Sequence, residues 1–361
     1  MESSIIMEKE ILLPVDFINN NGSFSIVSFR LPETNFVEPF SIDTLSRQFN
    51  ILDTNFSDPE DSLKLARPLH YDLHDSRVEL TPVEDFLKSY SRIESELPRK
   101  FIFHMSRCGS TLVTQMLATS DRFHVLVEPT IINKLMDPAV KLPVGLDRME
   151  IFKAAIKALE KTAPKQAKEM VFKFRSWNSL YMPEMTMALP GTKWLFTHRN
   201  GLEVLASVLQ DPPGWLRSRP THQKYFEPYL SKEDGEDLSL IPDDEYAIRL
   251  LGAFCKAAAE VKFGNGEFIE YTQIKEKLPD LIEKNWGIDL SEAEKTLMLE
   301  RTAIYSKDPE KSREFSPDSE LKQTLATEHQ RSLASKFIEA QRGKLMNERP
   351  SWTRELRPRL I

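Results

Sequence analysis

The stretch Phe101-Ile-Phe-His-Met-Ser-Arg-Cys-Gly-Ser-Thr-Leu-Val-Thr-Gln-Met-Leu117 decides how the chain is read. Phe101 to Met105 is an apolar run of strand length, Ser106 to Ser110 is a tight loop containing glycine, and a helix opens near Thr111. A strand that hands over to a helix in this way leaves several backbone N–H groups aimed at one spot, with the helix dipole behind them, and such a spot favours an anion. Arg107 and the hydroxyls of Ser106, Ser110 and Thr111 add charge and donors. The segment reads as a phosphate or sulfate cradle.

Downstream of the cradle, short apolar runs alternate with longer helical segments. Strands are predicted at 101–105, 124–128, 170–174, 194–198 and 267–271, with helices at 111–119, 129–136, 147–162, 176–188, 201–210 and 244–262. That alternation predicts an α/β fold of P-loop type, a mostly parallel sheet covered by helices on both faces. Ligands of such sheets gather outside the carboxyl ends of the strands. Those ends carry Arg107, Glu128, Lys173 with Arg175, and Arg199. Any one of them is an ordinary solvated strand end; their joint placement points to an anionic ligand.

Residues 1–98 form a small α/β appendage, 99–346 the main domain and 347–361 a tail. In the appendage, two β-rich runs flank Asn19-Asn-Asn-Gly22 and predict a hairpin. A short helix is expected at 41–49, and Thr81-Pro-Val-Glu84 predicts a helix running to about Arg92. Residues 211–243 are polar and rich in proline, with Trp215, Tyr225, Phe226 and Tyr229, and read either as a lid lining an acceptor pocket or as a loop pinned by its own small core. Helices are predicted at 273–286 and 291–304. Ser316 and Pro317 are expected to start one long helix reaching about Gly343.

A formal charge of −7 argues against a general nucleic-acid or lipid-surface binder, so an anion must be held by a local cationic cluster. The two cysteines, Cys108 and Cys255, offer neither a disulfide framework nor metal-ligand spacing, which makes a reducing, cytoplasmic setting the default. The first residues lack the pattern of a signal peptide, and no apolar run approaches the ~20 residues of a membrane span.

Two common explanations of the cradle fit badly. A nucleoside-triphosphate loop places lysine where Ser110 stands, and no strand ends in the aspartate that would hold Mg²⁺. Cysteine-phosphatase chemistry needs arginine six positions after the nucleophile, and Thr114 is there instead of that partner to Cys108.

Ser-Arg-Cys-Gly-Ser-Thr-Leu resembles the 5′-phosphosulfate loop of sulfotransferases that use 3′-phosphoadenosine-5′-phosphosulfate (PAPS). Arg107 matches that loop's basic residue, Gly109 its glycine, and Ser110 and Thr111 its hydroxyl pair; Ser106 replaces proline and Cys108 replaces serine. Thr197-His-Arg-Asn-Gly-Leu-Glu-Val-Leu-Ala-Ser207 resembles the family's 3′-phosphate motif, in which Arg199 and Ser207 stand at the required spacing. The resemblance covers roughly residues 100–310. It implies a cofactor-binding set of Arg107, Cys108, Gly109, Ser110, Thr111, Arg199 and Ser207. It also offers Glu128 as general base, with Arg107 and Lys173 near the transferring group; His104 and His124 compete for the base role, since some members use a histidine, but His104 inside its strand and His124 at the start of the next read as structural. PAPS is then the co-substrate, an unidentified hydroxyl group on a small molecule, a sugar or a peptide tyrosine the acceptor, and no metal is required. The family's Arg-Lys-Gly closing loop has no match; Tyr305-Ser-Lys-Asp-Pro309, Lys311 and Arg313 are replacements by position alone. A degenerate P-loop phosphotransferase and a non-catalytic nucleotide-binding module stay open.

Overall fold

The computed structural model describes residues 10–20, 23–32, 40–41, 78–91, 97–142, 144–261, 265–304 and 319–347. Five strands carry the main sheet: β5 (Arg99–His104), β6 (Phe123–Val127), β7 (Glu169–Lys173), β8 (Lys193–His198) and β9 (Gly266–Glu270). Together with the short β3 (Phe40–Ser41) they lie in the order β3-β6-β7-β5-β8-β9, and every pairing is parallel.

Alternation along the strands explains why both faces are covered. Ile102, Val125, Val171, Leu195 and Ile269 share one core with Val113, Leu117, Leu278 and Met298 from the helices Ser110–Leu117, Ile274–Leu281 and Glu292–Arg301. Their neighbours Phe101, Phe103, Leu126, Phe172 and Phe196 pack on the other face with Phe152, Met185, Val204 and Phe254. The helices supplying those partners are Arg148–Glu160, Met182–Ala188, Gly201–Gln210 and Asp243–Ala259. Side chains of a strand alternate between faces, so an unbroken apolar run is what a sheet buried on both sides requires. Phe101 lies 5.0 Å from Phe174 and 5.9 Å from Phe172, ring centre to ring centre. Burying each such ring contributes about 1.5–3 kcal/mol. This aromatic wall holds the ends of β5 and β7 rigidly side by side.

The N-terminal strands β1 (Glu10–Asn20), β2 (Ser23–Pro32) and β4 (Val78–Pro82) make a separate antiparallel sheet in the order β1-β2-β4. The hairpin expected around Asn19-Asn-Asn-Gly22 is therefore present in its strands; Asn21 and Gly22 lie outside the described residues. Leu13, Ile26, Val83 and Phe86 join the Phe101 face of the main core. The helix Val83–Ser91 begins just after Pro82, as the Thr81-Pro pair predicts. Most of the helix expected at 41–49, and all of Tyr305–Pro309, Lys311 and Arg313, lie outside the described residues.

Two expectations need correction. Residues 211–243 are not one irregular loop: they contain the helices Gly214–Arg217 and Arg219–Phe226 and two short 3₁₀ turns. Trp215 and Phe226 are buried in the main core, and Trp215 Nε1 donates to Ser176 Oγ at 3.2 Å. The C-terminal segment is not one long helix either. It breaks between Ser319–Thr324 and Glu328–Ala334 because Thr327 starts a new helix, with Thr327 Oγ1 accepting from Gln330 N and Gln330 Oε1 accepting from Thr327 N.

Candidate active site

Because all strands of the main sheet run the same way, their carboxyl ends share one edge. The cradle follows β5, Glu128 follows β6, Lys173 ends β7, Arg199 follows β8 and Tyr271 follows β9. The topology thus brings together Arg107, Glu128, Lys173 and Arg199 at one edge.

The cradle is a strained turn. Ser106 and Arg107 have positive φ (81° and 47°), as does Gly109 at 88°. For the first two this costs of order 1–3 kcal/mol each and persists only where the surroundings impose it. Ser106 N–H donates to His104 Nδ1 at 3.1 Å, and Met105 N–H donates to the Thr197 carbonyl at 3.2 Å. Gly109 is the N-cap of Ser110–Leu117, and no side chain caps that helix. Its first-turn N–H groups therefore carry the partial positive charge of a helix start, with Ser110 and Thr111 in the same turn.

Cys108 turns inward. Its Sγ donates to the Thr197 carbonyl at 3.0 Å, and burial pushes the thiol up to about 11. Only the backbone of Cys108 is placed to serve a bound anion. Arg107 pairs with Asp211 through Nη2, which also reaches the Asp211 carbonyl.

Glu128 has a φ of 53° and is fixed at its backbone by Glu128 N–H to the Lys173 carbonyl at 2.7 Å. Its own carbonyl accepts from Asn133 Nδ2, also at 2.7 Å. One carboxylate oxygen takes the Lys173 ammonium, and the other takes Arg175 Nε at 3.1 Å. Burial alone would raise this carboxyl; Lys173 and Arg175 outweigh it and hold the pKa at about 2. Glu128 is thus ionised at neutral pH, between two cations.

Arg199 is buried, and its partners include the following. Its Nε pairs with Glu203 Oε2 at 2.5 Å and Nη2 donates to Ser319 Oγ at 3.2 Å. Its backbone N–H meets Met105 Sδ at 3.3 Å, and its guanidinium stacks 4.2 Å from the centre of the Tyr271 ring. Glu203 also accepts from Gln323 Nε2 and Ser319 Oγ; burial opposes its ionisation, but these donors and Arg199 bring it below its ordinary value. Ser207 lies one turn further on, its hydroxyl donating to the Glu203 carbonyl at 3.0 Å. Glu203 therefore stands between Arg199 and Ser207.

Neither His104, which ends β5, nor His124 is exposed. Burial holds His104 at about 3 and His124 at about 4, both neutral. His124 Nε2 lies 3.1 Å from Thr162 Oγ1, at the opposite edge of the sheet. Sequence reasoning missed Tyr271, Glu203, Ser319 and Gln323. Tyr271 had a usable signal, since it follows the last strand at the ligand edge. Ser319 and Gln323 had none, being more than 100 positions from Glu203.

Among the described residues, no group of three or more His, Cys, Asp or Glu is arranged to hold a metal ion, and no helix is long and apolar enough to cross a membrane. Fold and site together define an α/β protein with a strand–loop–helix turn and a set of cationic side chains at the carboxyl edge of a parallel sheet. No protein-family model and no curated protein sequence matches the chain. Among solved structures it is similar to a sulfotransferase from Mycobacterium avium, with a TM-score of 0.44 and 12% identity, covering 72% of this chain and 81% of that one. It is also similar to a sulfotransferase from Alicyclobacillus acidocaldarius, with a TM-score of 0.36 and 15% identity, covering 71% and 99%. A third is a retinol dehydratase in complex with androsterone and the inactive cofactor PAP, with a TM-score of 0.36 and 15% identity, covering 73% and 88%.

Proposed function

We propose that the chain is a sulfotransferase, moving a sulfuryl group from PAPS to an acceptor hydroxyl by in-line displacement. One observation supports this reading: Gly109, at the start of a helix that no side chain caps, and the buried Arg199 guanidinium both lie against the Tyr271 ring, so an N–H-rich helix start and a cation flank one aromatic side chain. A nucleotide with phosphates at both its 5′ and 3′ positions needs two anion anchors.

In this scheme the N–H groups of Cys108 to Thr111 and the Ser110 and Thr111 hydroxyls hold the 5′-phosphosulfate, with Arg107 beside them. Arg199 supplies a planar fork, and Ser207 a hydroxyl, for the 3′-phosphate. Glu128 takes the proton of the acceptor hydroxyl as its oxygen attacks sulfur. A carboxylate with a pKa of about 2 is a weak base in the ground state. It gains basicity as Lys173 turns from it to the charge developing on the bridging oxygen. Sulfuryl transfer resembles phosphoryl transfer in relying on positioning and charge stabilisation, which fixed cations can provide.

The N-terminal sheet would help shape the acceptor side, because β1 packs against Thr130–Leu135, the helix that follows Glu128. We assign residues 1–98 to this appendage, 99–346 to the catalytic domain and 347–361 to a tail. The free, buried Cys108 and Cys255 suit a cytoplasmic setting.

The test is a thermal-shift comparison of PAP, AMP and Mg-ATP. PAP should stabilise the protein in proportion to its affinity, and more than AMP does. Equal shifts from PAP and AMP would remove the role of Arg199 and Ser207. A larger shift from Mg-ATP would favour a phosphotransferase. PAP binding without any effect of Glu128→Ala on sulfuryl turnover would favour a non-catalytic module.

A further inference from the structure

His104 is a buried imidazole that takes no part in the proposed chemistry, yet both of its ring nitrogens are committed. Nδ1 accepts from Ser106 N–H at 3.1 Å, and Nε2 lies 3.0 Å from the Phe174 carbonyl. A carbonyl can only accept and an amide N–H can only donate. His104 must therefore be neutral, with its proton on Nε2. The two partners belong to different halves of the site. Ser106 is the first residue of the cradle with positive φ, and Phe174 is the single residue between Lys173 and Arg175, the two cations on Glu128.

We propose that His104 is a positioning residue that fixes the anion cradle to the strand end carrying Lys173 and Arg175, through one required tautomer. Its main chain is anchored as well: the His104 carbonyl accepts from Ser179 Oγ at 3.1 Å. The ring is thus a short rigid strut, and the strained Ser106 conformation is set by its Nδ1 lone pair. Lys173 and Arg107 near the ring oppose its protonation and Glu128 favours it, while burial dominates and keeps the proton count fixed. The consequence for turnover rests on the sulfotransferase reading. The geometric claim does not.

Two substitutions separate the two bonds. His104→Asn keeps an acceptor near the Nδ1 position, and His104→Gln keeps a donor near the Nε2 position. The first readout is hydrogen exchange at the Ser106 amide, which needs no ligand. Protection should survive in His104→Asn within about threefold and fall at least tenfold in His104→Gln, the scale of one buried hydrogen bond. The second is ¹⁵N-histidine spectroscopy of the wild-type protein, which should show a single Nε2–H ring that does not titrate from pH 8 to pH 5. The third is PAP affinity, expected to follow Ser106 protection and not melting temperature. Unchanged Ser106 protection in His104→Gln, or a ring carrying its proton on Nδ1, overturns the proposal. Failure of the wild-type protein to bind PAP, with the first two results as expected, overturns the sulfotransferase reading and leaves the strut standing.

Discussion

The Arg199 guanidinium lies 4.2 Å from the centre of the Tyr271 ring, and that same ring closes against Gly109. A Cβ added at Gly109 would come within 2.6 Å of Tyr271 Cδ2 and 2.7 Å of Ile274 Cδ1, at a φ of 88°. One aromatic side chain therefore sets the spacing between the loop at Gly109 and the Arg199 guanidinium.

Gly109→Ala is accordingly expected to cost about 1–3 kcal/mol of stability, from backbone strain and overlap combined. It should also push Tyr271 off its contact with Arg199. Denaturant unfolding and PAP titration measure the two effects. Wild-type affinity for PAP in this variant would show that the shared ring does not matter.

Removing the carboxylate beside Arg199 should act in opposite directions on the free and liganded protein. The pair is nearly closed to solvent, at 8% and 6% side-chain exposure, so Glu203→Gln removes a charged partner from a buried guanidinium. The free protein should lose about 3 kcal/mol. A 3′-phosphate restores the missing charge, so the stabilisation by PAP should exceed that of the wild type. Unfolding curves with and without saturating PAP decide it, and equal PAP stabilisation in both proteins contradicts the assignment of Arg199.

Glu128→Gln should lower sulfuryl turnover by about 10²–10⁴-fold while changing PAP affinity little. The pH dependence follows from the sign of its shift. Its folded pKa of about 2 lies below the unfolded value of about 4.3, so the stability it contributes is present above the unfolded value and lost as pH falls towards 2. The variant should show a shallower loss of stability between pH 5 and about pH 2. An identical slope in both proteins would mean that Lys173 and Arg175 do not hold Glu128 ionised.

Cys108→Ser should retain most activity, since the thiol faces Thr197 and burial raises it to about 11. Thiol reagents should leave Cys108 unmodified in the native protein. Rapid modification together with inactivation would revive a nucleophilic role for it.

The sheet was legible in the sequence because strands buried on both faces must be continuous apolar runs, and those of Phe101 to Met105 and Trp194 to His198 are bounded clearly. Arg107, Glu128, Lys173 and Arg199 were legible as strand ends on one edge. Their counter-charges were not. Asp211 and Glu203 acquire meaning only from side-chain geometry, and Ser319 and Gln323 reach the site from a distant helix. Pro213 and Pro220 misled in a different way. Proline at a helix start resembles proline in a loop until the following turn is seen, and here these prolines open or enter short helices. The apolar side chains of Trp215 and Phe226 were the better guide to that region.

The residues of the ligand edge come from five strand ends separated by as many as 164 positions, from Arg107 to Tyr271. Contacts of such long sequence separation form slowly, because loop closure must precede any gain from pairing. Anion affinity should therefore be among the last properties acquired during refolding, appearing after most helical signal has returned.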